Sequence, residues 1–186
     1  MSPLFLPKRK KEITMLTKID LCSMALLKLG ESPIQSWTED SVNSKLARTL
    51  CDSVIDSLLS MHPWHFATSN ISLSKNTNGN FLIPENVLRV LKSDGHIIGK
   101  YIESDKDSID ILAVARVSPD VFPAYFVSVV ATRLAMEFCI PLTGNQSVFR
   151  MLTALYESEL QTAKFIDSTT SLSDGIHDFS LINSRF

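Results

Sequence analysis

The apolar residues of this chain change period twice, and that change limits the folds open to it. Ile19, Cys22, Leu26 and Leu29 follow one another at helical spacing. Val42, Leu46, Leu50 or Cys51, Val54 or Ile55, Leu58 and His62 do the same over a longer stretch. From residue 70 the pattern alternates, with Ile71 and Leu73 on one side of "NISLSK". Helical spacing then returns in Phe122, Phe126, Val129 or Val130, Arg133 or Leu134, and Phe138. It continues in Leu152, Leu155 or Tyr156, Leu160 and Ala163. The spacing predicts a mostly α, α+β protein: a four-helix core with a small antiparallel β meander. The helices are placed at 18–29, 41–61, 120–140 and 147–166, and the meander at 70–116.

Local punctuation supports these limits. Thr17 and Asp20 form a capping-box pattern, and Gly30 suits the left-handed residue that closes a helix. Asp40 or Ser41 can cap the second helix, and Pro63 cannot continue it. "NTNGN", "SDG" and "SDKD" have turn chemistry, so three short strands are expected between them. Pro84 bars "FLIPENVLRVLK" from being one uninterrupted central strand. Pro119 or Pro123 can open the third helix, and Pro141 with Gly144 should break it.

The 186 residues suffice for one domain with a core, placed at 17–167. Residues 1–16 read as a flexible, solvated arm, with Met15 standing where a natural start would also fall. The arm's "PLFLPKRKKE" is not a secretory signal, because its basic cluster follows a short apolar part. Net charge is −2. Four of the 18 cations and one of the 20 acids lie in residues 1–14, leaving 14 against 19, or −5. A body of that sign offers phosphate no basic face to grip. No apolar run is read as reaching the roughly 20 residues that cross a bilayer. Cys22, Cys51 and Cys139 are odd in number and set among apolar neighbours, which suits buried free thiols in a reducing compartment. No clustered ligands at zinc spacing accompany them.

"SMHPWHFAT", residues 60–68, packs His62, Pro63, Trp64, His65 and Phe66 into one helix exit. Two histidines invite a metal or catalytic reading, yet Pro63 separates them and no carboxylate lies nearby in sequence. The reading adopted is a structural corner of Pro63, Trp64 and Phe66. Its aromatic rings anchor the long helix on the sheet, and the indole N–H finds one partner.

Several segments together resemble the head–tail connector (adaptor) family of tailed bacteriophages and gene-transfer agents. "ALLKLGESPIQSWTEDS" is similar to the family's opening helix and polar link. "LLSMHPWHFAT" resembles its aromatic corner, and "FLIPENVLRVL" its proline–acidic–arginine approach to a strand, with Pro84 and Arg89 in place. "FVSVVATRLAMEFCIPLTGN" resembles its third helix. The likeness runs from about Ile19 to Asp167; Glu85-Asn86 departs from the commoner aspartate, and the arm before Met15 is outside the pattern.

The resemblance implies a structural protein, with no enzyme activity, cofactor or metal. It would form a homo-oligomeric ring of about twelve copies under the portal ring, joining head to tail. A further tail component would bind below, and DNA would pass through without specific binding; no membrane is involved. The protein would be made in the bacterial cytoplasm and reside in the neck of the particle. Residues 168–186 would be an extended tail docked on the portal through Leu172, Ile176, Phe179, Leu181, Ile182, Arg185 and Phe186. Spacing alone leaves open whether these residues fold back on their own domain or order in a partner's groove.

Two other classes are weighed. A cell-wall glycan hydrolase would need paired carboxylates, for which Glu85, Asp105 and Asp107 are candidates. A thiol enzyme would use Cys51 or Cys139 with a histidine. A small DNA-binding regulator would use the basic arm, though no helix is rich in the residues that read bases.

Overall fold

The computed structural model describes residues 15–174, with side chains to residue 170. Among the described residues there are four helices: α1 (Lys18–Lys28), α2 (Val42–Met61), α3 (Ala124–Thr143) and α4 (Gln146–Asp174). Six strands lie between α2 and α3: β1 (Thr68–Ser74), β2 (Phe81–Leu82), β3 (Val87–Ser93), β4 (His96–Ile98), β5 (Tyr101–Glu103) and β6 (Ser108–Ala115). The fold is α+β with a four-helix core, as the spacing predicts.

Short-range chemistry sets the helix ends. The Thr17 hydroxyl accepts from the Asp20 N–H, and the Asp20 carboxylate accepts from the Thr17 N–H at 2.8 Å. Ser41, not Asp40, caps α2 by accepting from the Ser44 N–H at 3.1 Å, while Asp40 pairs with Lys45. Gly144 ends α3 in the left-handed region, at φ 61°.

The strand region is larger than the three-strand meander expected. One antiparallel sheet has the order β1-β6-β3 and the other β2-β5-β4. β6 sits between β1 and β3, and its Ile109, Ile111 and Ala113 alternate onto one buried face. Pro84 falls between β2 and β3, where no ladder hydrogen bond is lost.

Three helix limits also differ. Residues 119–121 form a separate single turn, so α3 starts four residues later than expected, after Pro123. Pro141 does not break α3, which closes one turn on with the Gly144 N–H donating to Ile140 O. α4 runs to Asp174 instead of 166, so the expected extended tail from 168 begins as helix, with Leu172 inside it. The Ser168 hydroxyl donates to Lys164 O and the Thr169 and Thr170 hydroxyls to Ile166 O. Polar side chains that read as loop are thus satisfied on the helix itself. Arm residues 1–14, and the tail candidates Ile176, Phe179, Leu181, Ile182, Arg185 and Phe186, lie outside the described residues.

α3 corrects one reading of composition. It is long and apolar enough to cross a membrane by length and composition. Here those faces are covered by α1, α2 and α4, and Phe126, Val129, Val130, Ala131, Leu134, Ala135, Phe138 and Cys139 are fully buried. Such a central helix is apolar on several sides because it has several neighbours.

Candidate functional site

The aromatic corner forms where α2 stops at His62 and the chain turns through Pro63. Trp64 is fully buried, and its indole N–H donates to Leu58 O at 2.8 Å, using one of the carbonyls left open at the end of α2. Its ring meets Phe126 edge-on at 4.9 Å between centroids, and Phe66 packs on Phe126 at 5.0 Å and Phe122 at 5.9 Å. The rings that grip the corner therefore belong to α3 and the residues leading into it. The corner also shares its core with Val114, Leu88 and Leu91 of the sheet, so anchorage on α3 through Phe122 and Phe126 adds to the expected anchorage on the sheet.

The carboxylate missing from the local sequence comes from α4. Asp167, 102 residues after His65, is buried, its side chain 3% exposed. Both its oxygens accept from the His65 N–H, at 3.1 and 3.2 Å, and Oδ1 accepts from the Tyr125 hydroxyl at 2.9 Å. His62 Nε2 lies 3.6 Å from Oδ2 and His65 Nδ1 3.8 Å from Oδ1, too long for hydrogen bonds but close enough to be felt as charge. One buried acceptor thus ties α4 to the α2 exit and to α3.

The electrostatics fit a structural tie. Burial pushes the His62 pKa below its ordinary 6.5, outweighing the attraction of Asp167, while Lys164 and Arg89 push the same way as burial. His62 is then neutral at pH 7, and the hydrogen bonds that hold Asp167 come from backbone and hydroxyl donors. Burial, reinforced by the Asp167 hydrogen bond and charge, raises the Tyr125 pKa, so its hydroxyl stays a donor. Among the described residues, no group of three His, Cys, Asp or Glu side chains is placed to hold a metal ion.

The approach to β3 carries the second candidate pair. Pro84 and Arg89 line a groove of about 450 Å³ with Ile83, Val87, Leu88 and Ile97. Arg89 Nε is buried there without a hydrogen-bond partner among the described residues. In the C-terminal half of α2, Arg116 holds Asp56 bidentately, Nε to Oδ1 at 2.8 Å and Nη2 to Oδ2 at 2.5 Å. That bond, and the Asp56 charge, raise the Arg116 pKa.

The residues of the rival readings are not assembled into a site. Glu85, Asp105 and Asp107 are all exposed, on the β2–β3 and β5–β6 connections. Cys51 instead meets Cys22, whose thiol hydrogen bond lowers the Cys51 pKa; the same bond, with burial, raises that of Cys22. Cys139 lies 3.6 Å from both Thr143 Oγ1 and Asn145 O. All three cysteines are free and buried, as their apolar neighbours suggest.

No family model matches this chain, and no curated protein matches it.

Asp167 escaped the reading of the sequence, yet a signal was present. The α4 stripe of Leu152, Tyr156, Leu160 and Ala163 continues at i+4 to position 167, and a carboxylate there stands on an otherwise apolar face. Arg89 was singled out for its place after Pro84. Its guanidinium adds to the positive charge felt at His62, which places it near the corner.

Proposed function

We propose that this protein is a structural connector. Identical copies stand side by side in a ring beneath the portal of a phage or phage-like particle, each gripping the portal with the segment after α4. The observation that carries this reading is the tie at Asp167. It fixes α4 to the α2 exit and α3, and the helix then continues two turns to Asp174. The 12 residues that follow start two turns beyond that tie, and at roughly 3.3 Å each they can reach about 40 Å. They include Ile176, Phe179, Leu181, Ile182 and Phe186, a set of apolar anchors suited to a groove between portal subunits.

The helical body supports the same reading. A ring needs head-to-tail contacts that close after a fixed rotation, which demands stiff subunits. Paired 20-residue helices, α2 and α3, joined through the aromatic corner supply that stiffness. Individually weak tails acting together hold far better than one, because later contacts form at high effective concentration. The −5 balance outside the arm suits a channel wall over which DNA slides without sticking.

The test is the particle mass of the full chain, alone and mixed with portal rings, beside a chain lacking residues 175–186. The full chain should join the portal as a ring. The shortened chain should keep its far-UV circular dichroism and lose attachment. Attachment at full strength without those residues would overturn the role of the tail.

A further inference from the structure

Two of the three cysteines meet where α1 touches α2. Cys22, on α1, is fully buried, and Cys51, on α2, is 2% exposed. The register of the helices brings them together. Lys18 bonds Asp52 at 2.7 Å, and it borders one cleft with Ile55 and a second with Cys51. Cys22 stands one turn on from Lys18 along the same face of α1, and Asp52 directly follows Cys51. The Cys22 thiol donates a hydrogen bond to the Cys51 sulfur.

The two thiols are not equivalent. Cys51 helps to line a surface cleft of about 230 Å³, together with Lys18, Trp37, Arg48 and Asp52. Two cations and one carboxylate thus surround the approach to its sulfur. The bond from Cys22 lowers the Cys51 pKa, and the Lys18 charge adds to this, against burial and Asp52. The same bond, with burial, keeps Cys22 protonated. A nucleophile therefore faces the cleft, and a second thiol stands behind it. Cys139 has a different setting on α3, beside Thr143 Oγ1 and Asn145 O.

We propose that Cys22 and Cys51 form a redox-active pair, which a peroxide entering the cleft at Arg48 converts to a disulfide that locks α1 to α2. This goes beyond the connector reading and stands without it. The Cys51 thiolate attacks one oxygen of hydrogen peroxide and the O–O bond breaks. The departing hydroxide takes up the proton that Cys51 gave to solvent and leaves as water, with Cys51 now a sulfenic acid. The Cys22 sulfur then attacks the Cys51 sulfur and the S–O bond breaks. That hydroxide leaves as water with the Cys22 proton. Two thiols and one peroxide become one disulfide and two waters, and two electrons pass from sulfur to oxygen. A small thiol reverses the bond by exchange.

The bond would matter because α1 lies mainly against α3 and touches α2 lightly. Residues 29–41, which join the two helices, hold no helix or strand. A link from Cys22 to Cys51 closes a loop of about 30 residues. Such a closure removes enough freedom from the unfolded chain to raise the thermal midpoint by about 5 to 10 °C. In a reducing compartment the pair stays a dithiol, and where peroxide prevails the contact is fixed.

The test treats the full chain with graded hydrogen peroxide. Free thiols are then counted after unfolding in a maleimide, linked peptides are mapped by mass, and the thermal midpoint is recorded. The expected result is loss of two of the three thiols, a Cys22–Cys51 linked peptide and the higher midpoint, all undone by dithiothreitol. Sulfoxide at Met151, which is 64% exposed, shows that the dose has acted. Three intact thiols at that dose would overturn the proposal. So would Cys51 sulfinic acid with no link to Cys22, or a disulfide between two copies. A linked pair with an unchanged midpoint would overturn the lock. In Cys22→Ala, Cys51 should pass on to sulfinic acid at doses that give the parent its disulfide. A Cys51 that stays reduced there would overturn its role as the attacking thiol. The parent chain decides the proposal even should that variant misfold.

Discussion

Replacing Asp167 by alanine probes the one interaction that joins three distant parts of the chain. The carboxylate accepts from the His65 N–H and the Tyr125 hydroxyl, and both donors are partly buried. Each donor left without a partner costs about 1 to 3 kcal/mol, with the lower end applying where water can enter. Relief of a buried charge offsets part of this loss. The net expectation is a destabilisation of about 2 to 3 kcal/mol. With a urea slope near 2 kcal/mol/M for a domain of this size, the unfolding midpoint should fall by about 1 to 1.5 M. The Asp167→Asn variant should recover little of this, because the carboxylate is surrounded by donors and an amide must turn its own N–H toward one of them. The Asp167→Ala and Tyr125→Phe variants, made singly and together, should be coupled by about 1 kcal/mol, since they share a bond. An Asp167→Ala midpoint within about 0.2 M of the parent, or strict additivity in the double variant, would refute the account of Asp167 as a tie.

Two further outcomes follow from the same geometry. His62 has a lower pKa folded than unfolded, so the unfolded chain binds the extra proton first as pH falls. Stability should therefore drop from about pH 6.5 downward and level off below the folded pKa, and His62→Gln should flatten that step in urea titrations across the range. Gly95 lies in the turn between β3 and β4, where an added Cβ would collide with Glu103 O and sit 2.7 Å from Ile102 Cγ2. Gly95→Ala should cost about 1 to 3 kcal/mol by overpacking, read as an earlier thermal transition; an unchanged transition would mean the turn yields freely.

Elements whose evidence is local were legible in the residues. The Thr17–Asp20 box, the stop at Pro63 and the closure at Gly144 lie where short-range chemistry puts them. Trp64 could be recognised as an anchor, since a large ring with one N–H has few other uses at a helix exit. Its ring partner could not, because Phe126 and the sheet both offer apolar surface and only packing brings Phe126 edge-on to it. Pro141 misled because proline weakens a helix only at the preceding turn, where one N–H is missing, and the buried packing of α3 carries the helix through to Gly144. Residues 168–170 misled for a related reason: serine and threonine near a helix end bond to the helix as readily as to solvent.

The sequence by itself determined the α+β class, the number of helices and the burial of the three thiols, because hydrophobic period and local capping act over a few residues. Tertiary structure alone decided that Asp167 reaches His65 and Tyr125 and that β6 sits between β1 and β3. Those outcomes depend on which surfaces meet after the chain has closed loops of about 40 to 100 residues, and no local pattern carries that information.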